Sequence, residues 1–313
     1  MKRRLFIASL IAGVAAFGMT AASAAEQVKI AVVLKTLSSQ YWKVVAAGAQ
    51  AAADANNVEL IVLGPPTEDA VEQQINMVED VIAQKPAALI FSPSQPTTAV
   101  NVVTKARKAG IPVLLVDTVL PEKYTDYSTF IGTDNIAAGK LGGETLAKLL
   151  KKGDKVVLID GTPGNPATND RIKGAEQVLL DAGLEIASKQ PGYSDREKAY
   201  TVMQNILQST PDVAGVFASS DEMALGALRA LQQSNKSIPV LGVDGNSDNL
   251  KAILAGDMYG TIAQGNYEMG QIAVEKALEV INGKEIEKRI DSGAKLITKD
   301  NAQELVDFRS NVK

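Results

Sequence analysis

The chain has 313 residues, of which 46% are hydrophobic and 22% charged, and this composition predicts a soluble globular protein of about two domains. Histidine and cysteine are both absent, which excludes disulfides, thiolate nucleophiles and Ser-His or Cys-His catalysis, and almost every zinc or transition-metal site. The formal charge is −4 and no dense basic block occurs, so we expect no nucleic-acid partner, no metal and no cofactor.

The first 24 residues predict a cleavable secretory signal peptide. A basic start, Lys2 to Arg4, precedes an apolar run over residues 5–19, and small residues then end in Ala-Ser-Ala at 22–24. The apolar run is short for a bilayer span, and the cleavage signature argues against a membrane anchor. No cysteine follows the run, so no lipid can be attached there. We expect cleavage after residue 24 and a mature protein in the periplasm.

Short β-branched runs then alternate with longer amphipathic stretches, the pattern of βαβ units in a mostly parallel sheet. The predicted strands are 28–34, 58–64, 87–93, 112–118, 128–132, 155–161, 184–189, 213–220, 239–245 and 259–264. The predicted helices are 42–56, 69–84, 97–109, 136–151, 169–182, 195–209, 221–234, 247–255 and 266–282. The tail predicts one more strand over 286–297 and a helix over 301–309. So many strands favour an α/β fold of two doubly wound sheets, with a boundary near 132–134.

Polar side chains follow the predicted strands at their carboxyl ends, where open α/β sheets bind ligands. Asp221 and Ser38, taken alone, are interpreted as helix N-caps. Asp117 differs, because the segment 118–121 does not resemble a helix start. The candidate ligand-binding residues are Lys35, Ser39, Tyr41, Trp42, Asp117, Arg171, Ser220, Asp244 and Gln264.

Catalysis finds little support in these residues. Neither G-x-G-x-x-G nor a P-loop follows a strand, which disfavours cofactor-bearing Rossmann enzymes and P-loop NTPases. Asp117 and Asp244 could act as a glycosidase pair, but the fold type and the signal segment favour binding. We therefore expect no catalytic residues.

Monosaccharide recognition suits the same side chains better. A sugar hydroxyl both donates and accepts, so carboxylates, a guanidinium fork, amides and an ammonium can each satisfy it through charge-assisted bonds. The apolar ring faces of a sugar can lie against the adjacent aromatic rings of Tyr41 and Trp42. Packing of this pair into the core at a helix start is the alternative interpretation.

Six segments carry a resemblance to a known family: KTLSSQYW (35–42), VLLVDT (113–118), GTPGNPATNDRIKGA (161–175), ASSDEMALGALRALQ (218–232), VLGVDG (240–245) and TIAQ (261–264). They resemble the periplasmic substrate-binding proteins of the ribose, galactose and allose type, which serve sugar ABC transporters. The likeness covers the whole mature chain. DEMALGALRAL is most similar to the ribose branch, whereas the lysine and aromatic pair of KTLSSQYW are more similar to the allose branch.

The resemblance implies two similar lobes joined by a three-segment hinge, the type I periplasmic binding protein fold. The implied N-terminal lobe comprises 25–132 plus 265–293, and the C-terminal lobe comprises 133–264 plus 294–313. It also implies that an aromatic pair stacks on the sugar while polar groups bond its hydroxyls. The stacking residues are Tyr41 and Trp42, and the hydrogen-bonding residues are Asp117, Arg171, Asp244 and Gln264.

The chain departs from the family pattern at several positions. Ser220 stands where these proteins usually place Asn, and Ser39 and Thr118 stand where the ribose branch has Asn and Arg. Tyr193 or Ser194 falls near a further stacking aromatic of that branch. Lys35 matches an allose-type lysine, and we expect it beside Asp117 at the ends of adjacent parallel strands.

The resemblance implies a non-enzymatic, monomeric protein that closes around one monosaccharide and delivers it to the membrane permease of an ABC importer, with a chemoreceptor as a further candidate partner. Three alternatives stay open. The same fold could bind a polyol or an autoinducer-2-like furanosyl signal, or the chain could be a LacI-type regulator or an enzyme. A regulator needs an N-terminal helix-turn-helix, where this chain has a signal segment.

Overall fold

The structure is a computed structural model that describes residues 27–312, so the predicted signal peptide lies outside the described residues. The strands are β1 (Val28–Val33), β2 (Val58–Leu63), β3 (Ala88–Phe91), β4 (Val113–Val116), β5 (Thr129–Gly132), β6 (Lys155–Asp160), β7 (Glu185–Pro191), β8 (Val213–Ala218), β9 (Val240–Asp244), β10 (Gly260–Gln264), β11 (Arg289–Asp291) and β12 (Ala294–Thr298). The helices are α1 (Gln40–Ala55), α2 (Val71–Gln84), α3 (Pro96–Lys108), α4 (Asn135–Leu149), α5 (Pro166–Asp181), α6 (Arg196–Ser209), α7 (Asp221–Gln233), α8 (Ser247–Ala255), α9 (Asn266–Ile281) and α10 (Ala302–Ser310). Over residues 27–312, no helix is both long and apolar enough to cross a bilayer.

These strands form two sheets of six. The first has the order β11-β5-β4-β3-β1-β2 and is parallel throughout, and the second has the order β12-β10-β9-β8-β6-β7, with only β12 antiparallel to its neighbour. Helices α1, α2, α3 and α9 pack on the first sheet, and the other helices pack with the second. We call these two layered units the first and second lobes. The predicted α/β fold with two doubly wound sheets is confirmed.

The central strands are the most apolar because helices cover both of their faces. All four residues of β4 are buried, as are all four of β3. Separate apolar clusters lie on the two faces of each sheet, so each lobe has its own core. Two rigid, independently packed lobes therefore support the strand ends.

The chain passes between the sheets three times, after β5, after β10 and between β11 and β12. The carboxylate of Asp291 accepts hydrogen bonds from the backbone N–H groups of Asp134 at 2.8 Å and Gly293 at 3.0 Å. The hydroxyl of Thr133 donates to Oε1 of Gln264 at 3.0 Å. These bonds tie the three crossings side by side.

The predicted single strand over 286–297 is wrong. The segment forms two short strands, β11 in the first sheet and β12 in the second. Gly293 has a φ of +85° between them, and the N–H of Ser292 donates to the carbonyl of Gly132 at 3.1 Å. This turn interrupts the extended run and makes it the third crossing.

Two helices that carry site residues begin earlier than predicted. Helix α1 begins at Gln40 instead of 42, which places Tyr41 and Trp42 in its first turn. Helix α5 begins at Pro166 instead of 169, with the side chain of Asn165 accepting from the N–H of Ala167 at 3.0 Å. Proline suits a first helical position because its missing N–H would be unpaired there.

Candidate functional site

Three polar side chains of the first lobe donate hydrogen bonds to the carboxylate of Asp117, beyond the carboxyl ends of the strands. Nζ of Lys35 donates to Oδ2 of Asp117 at 2.9 Å, and the hydroxyl of Tyr41 donates to Oδ1 at 2.9 Å. The hydroxyl of Thr118 donates to Oδ2 at 2.7 Å. The strands before Lys35 and Asp117 are not adjacent, contrary to the prediction, because β3 lies between β1 and β4. The long lysine side chain bridges that gap.

The surroundings of this cluster favour an ionised carboxylate at Asp117 and a neutral phenol at Tyr41. Burial acts to raise the pKa of Asp117, but the charge of Lys35 and the hydrogen bonds from Thr118, Lys35 and Tyr41 outweigh it and lower that pKa. Burial, together with the neighbouring Asp117 carboxylate, raises the pKa of Tyr41 well above its usual value. Asp117 is therefore an ionised acceptor, and Tyr41 is a donor.

The aromatic pair lies at the start of α1 with its rings edge to face, 4.9 Å between centroids. Only 2% of the surface of Trp42 is exposed, and the side chain packs in the core between α1 and the first sheet. Its indole N–H donates to Oε1 of Glu68 at 2.6 Å. Trp42 thus serves core packing in this structure, and stacking on a sugar stays a prediction.

The second lobe carries a matching cluster around Arg171. Its Nε donates to Oδ1 of Asn135 at 2.8 Å, and its Nη1 donates to the carbonyl of Ser219 at 2.9 Å and to Oδ1 of Asp244 at 3.2 Å. Nε2 of Gln264 donates to the same Asp244 oxygen at 2.7 Å. Gln264 also accepts a hydrogen bond from the hydroxyl of Thr133, so it links Asp244 to the first crossing.

Close helix packing positions Arg171. Helices α4 and α5 approach closely through glycines, and a methyl group added to Gly139 would collide with the backbone carbonyl of Arg171. A methyl group on Gly174 would likewise collide with the carbonyl of Ile136. The Arg171 side chain is 8% exposed, so its orientation is set by its hydrogen bonds to Asn135, Ser219 and Asp244.

Two carboxylates of the second lobe have raised pKa values. Burial raises the pKa of Asp244, although Arg171 and Gln264 oppose the shift. Burial and then the charge of Asp244 raise the pKa of Asp221 well above its usual value. Asp221 is the first residue of α7 and accepts from the N–H of Asn246 at 2.6 Å and the hydroxyl of Thr261 at 2.7 Å. The N-cap prediction for Asp221 is therefore wrong.

Two serines occupy N-cap positions without capping. Ser220 precedes α7 and Ser39 precedes α1, and neither side chain makes a cap hydrogen bond in the described chain. The Oγ of Ser220 is buried and has no hydrogen-bond partner among residues 27–312. The N-cap prediction for Ser38 is wrong as well, because its hydroxyl pairs with that of Thr36 at 3.0 Å. The Ser220 hydroxyl therefore has hydrogen-bonding capacity that no residue of 27–312 uses.

Tyr193 and Ser194 lie in the turn between β7 and α6. Tyr193 has a φ of +59° and is 46% exposed, and Ser194 has a φ of +56°. The ammonium of Lys198 lies 5.1 Å from the Tyr193 ring centroid. A stacking role for Tyr193 or Ser194 stays a prediction.

The charges of the second-lobe cluster act on the first-lobe cluster. The phenol of Tyr41 is under the influence of the charges of Asp244 and Arg171 from the second lobe, in addition to that of Asp117. Each lobe contributes one ion pair, Lys35 with Asp117 and Arg171 with Asp244. Within residues 27–312, no cluster of acidic side chains could hold a metal ion. The arrangement provides donors and acceptors for uncharged hydroxyl groups.

Sequence reasoning missed four residues that shape the site. Asn135 and Thr133 hold Arg171 and Gln264 from the first crossing, and Glu68 holds the indole of Trp42. Arg309 lies in the last turn of α10 and donates to the carbonyl of Gly245. Of these positions, only Thr133 and Asn135 lie beside a sequence signal, because Asp134 between them is an N-cap residue. Its side chain accepts from the N–H of Ala137 at 3.0 Å and so begins α4.

Comparison with known proteins places these residues in context. The family model described as the periplasmic binding protein domain matches residues 30–285. The ribose import binding protein RbsB of Salmonella typhimurium is 34% identical over 94% of this chain and 98% of its own. The D-allose-binding periplasmic protein of Escherichia coli is 30% identical over 80% of this chain and 84% of its own. The crystal structure of a solute binding protein from Actinobacillus succinogenes with bound D-allose superposes with a TM-score of 0.78 at 31% identity, covering 88% of this chain and 99% of that one.

Proposed function

The chain belongs to the periplasmic binding protein family, and from that premise we propose that it captures one neutral monosaccharide between its lobes and delivers it to an ABC sugar importer. A ribose-like pentose or an allose-like hexose is the proposed ligand. Relatives named for ribose and for D-allose support this choice. The activity is binding, and no chemical step is assigned to any residue.

One observation carries the proposal: each lobe contributes a carboxylate that already has a cationic partner. Lys35 neutralises Asp117, and Arg171 neutralises Asp244. A ligand with a net charge would leave one member of these pairs uncompensated in a water-poor cleft, which is costly. A sugar hydroxyl donates to a carboxylate and accepts from a guanidinium or ammonium, so it fits both clusters without adding charge.

Recovery of the natural ligand tests this proposal directly. Mass spectrometry of small molecules released from the purified protein should find an uncharged sugar, chemically unchanged. Calorimetric titration with D-ribose, D-allose, D-galactose, D-glucose, D-psicose and ribitol then ranks the candidates. A preference for ribitol would replace the sugar by a polyol, a furanosyl signal molecule in the released fraction would replace it by that class, and turnover of any compound would overturn a pure binding role.

A matched pair of variants checks that binding uses the described cleft. Arg171→Ala removes a buried donor, whereas Arg229→Ala removes an arginine whose ion pair with Glu197 lies on the surface of the same lobe. We expect a loss of roughly 2 to 5 kcal/mol in affinity for the first, at least about thirtyfold, and little change for the second. Equal behaviour of both variants would place the binding site elsewhere.

The cellular setting is part of the proposal. We propose that residues 1–24 are removed on export, so that the mature protein begins at Ala25 in the periplasm and acts as a monomer. Amino-terminal sequencing of the exported protein and light scattering of the purified protein test the two statements. Co-purification with the cognate permease, and separately with a chemoreceptor, tests the two candidate partners.

A further inference from the structure

The C-terminal helix α10 places one arginine beneath the sugar site. Arg309 is 8% exposed, and its Nη1 donates to the carbonyl of Gly245. Gly245 follows Asp244 directly, and both have positive φ angles, +76° and +125°. This turn ends β9 and carries the proposed hydroxyl acceptor of the second lobe. A buried donor therefore supports the backbone directly after Asp244, a non-glycine residue held at a positive φ.

Arg309 also balances charge. Two carboxylates, Asp221 and Asp244, lie together at this end of the second sheet, and Arg171 contacts only the latter. Burial lowers the pKa of Arg309 from the usual arginine value, and the charges of Asp221, Tyr41 and Asp244 oppose that shift. The charged and titratable groups around Asp244 thus come from four elements: Arg171 on α5, Asp221 on α7, Arg309 on α10 and Tyr41 on α1.

The same residue meets the first lobe. Nε2 of Gln40, the first residue of α1, donates to the backbone carbonyl of Arg309 at 3.1 Å. Arg309 therefore joins α10 to the Asp244–Gly245 turn through its side chain, and to the first lobe through its backbone carbonyl.

We propose that Arg309 is a positioning residue of the binding site: it holds the Asp244–Gly245 turn and supplies the second counter-charge for the Asp221–Asp244 pair without touching the sugar. The assignment of Asp244 as a hydroxyl acceptor rests on the proposed function. The action of Arg309 on Asp244 does not, because it is a property of the protein without ligand.

The first test therefore uses ligand-free protein. Carboxyl ¹³C NMR titration follows Asp244 in wild type, Arg309→Met and Arg309→Lys, with Asp221→Asn to separate the two carboxyl signals. Arg309→Met should raise the pKa of Asp244, because a neighbouring positive charge is lost, and Arg309→Lys should raise it less. Arg229→Met, the same change on the surface of α7, should leave it unchanged. An unchanged Asp244 pKa in Arg309→Met overturns the inference; if that variant does not fold, Arg309→Lys decides, since the loss of the fork should still shift the titration.

The second test measures binding of D-allose and D-ribose from neutral to acidic pH. We expect Arg309→Met to weaken binding roughly tenfold at neutral pH, with the further loss on acidification beginning at a higher pH than in wild type. A purely structural role would lower the melting temperature but leave the pH profile in place. Wild type that binds neither sugar would contradict the proposed function while the NMR result still decides the role of Arg309; wild type that binds with an Arg309→Met profile like its own would overturn the inference alone.

Discussion

At the scale of single residues, the two proposed hydroxyl acceptors, Asp117 and Asp244, both have positive φ angles, which are uncommon for non-glycine residues. Asp117 has a φ of +62° just after β4, and Asp244 has a φ of +125° at the end of β9. Such conformations cost non-glycine residues on the order of 1–3 kcal/mol and occur where the surroundings hold them in place. Here the N–H of Asp117 donates to Ile131 at 2.9 Å, and Gln264 and Arg171 hold Asp244. The positive φ angle ends each strand and places the carboxylate within reach of the side chains that donate hydrogen bonds to it.

The opposite pKa shifts of these two carboxylates predict how binding responds to acid. Asp244 has a raised pKa and Asp117 a lowered one, so as the pH falls Asp244 gains a proton first. Protonation removes an ionised acceptor, and D-allose affinity should decline on acidification through Asp244. Calorimetry across this pH range should find weaker but nearly pH-independent binding in Asp244→Asn, whereas Asp117→Asn should keep the decline. The reverse pattern in the two variants would contradict the assignment.

Ser220 offers a prediction about selectivity, because its hydroxyl makes no cap bond. Ser220→Ala should change the free energy of unfolding by less than about 0.5 kcal/mol. Asp195→Ala is the matched control, since that side chain caps α6 by accepting from the N–H of Lys198 at 2.8 Å, and its loss should cost about 1 kcal/mol. Ser220→Asn should reorder the affinities of epimeric sugars by roughly 1 to 3 kcal/mol, as titration of an epimer panel would reveal. A uniform loss across the panel would refute the selectivity role.

Trp42, the only tryptophan in the chain, predicts a fluorescence response. Sugar stacking against its ring should change the emission, and Trp42→Ala should weaken D-allose binding by roughly 1 to 3 kcal/mol. Because the ring is buried, the same change should also lower stability by about 3–5 kcal/mol. Leu179→Ala is the control, a buried truncation in the second lobe that should lower stability but leave affinity unchanged. Wild-type affinity in folded Trp42→Ala would assign the ring to core packing alone.

The polar residues at the sheet edges could be predicted as candidates from sequence, because strand ends are easy to locate and open α/β sheets bind ligands beyond them. Asp117 and Asp244 end obvious apolar runs, and the structure places Lys35 beside Asp117 as predicted. The pairing of Arg171 with Asp244 was not predicted. Asn135, Glu68 and Arg309 could not be found in this way. They reach the site from the first residue of α4, a loop and the last helix, and no local pattern indicates which distant side chain an amide, a carboxylate or a guanidinium will meet.

At the scale of elements, both lobes use the same device to place a helix that carries site residues. Gly48 of α1 and Gly270 of α9 meet backbone atoms of the opposite helix in the first lobe, as Gly139 and Gly174 do between α4 and α5 in the second. Helix periodicity predicts these helices, but not which glycines form the contacts. The two short strands of the tail were missed for a related reason, since the crossing at Gly293 is a tertiary feature inside a continuous extended run.

This packing predicts a cost for a single methyl group. Gly139→Ala would force the backbone of Arg171 away, so it should lower the free energy of unfolding by roughly 1 to 3 kcal/mol and weaken sugar binding as well. Gly270→Ala, which would collide with the carbonyl of Val45 in the first lobe, should destabilise by a similar amount. Lys148→Ala on the exposed side of α4 serves as the control and should stay within about 0.5 kcal/mol. Denaturant unfolding with unchanged stability in Gly139→Ala would show that the helices can separate without penalty.

At the scale of the whole molecule, the proposed ligand groups are divided between the lobes, while among residues 27–312 direct ties between the lobes beside the hinge are few. Gln40 bonds the carbonyl of Arg309, and the rings of Tyr267 and Phe308 meet edge to face at 5.1 Å. A neutral hydrogen bond contributes only about 0.5–1.5 kcal/mol and an aromatic pair about as much. Such contacts leave the lobes able to separate when no sugar bridges them.

The last prediction is that sugar binding shifts this equilibrium towards a closed state. Moving a population from about 1:99 to 99:1 needs roughly 5.5 kcal/mol of differential affinity, which is within the roughly 8.2 kcal/mol available to a micromolar ligand. Only the closed state lets one sugar contact both Asp117 and Asp244. In the open state the sugar contacts one cluster alone, so the difference in affinity comes from the contacts with the other cluster. Small-angle scattering of the wild type should show a smaller radius of gyration at saturating D-allose. Arg171→Ala at the same D-allose concentration is the control and should keep the ligand-free radius. If the wild type binds D-allose by calorimetry yet keeps one radius throughout, the sugar enters lobes that are already closed, and binding must be gated by local movement at the cleft mouth instead of by the hinge.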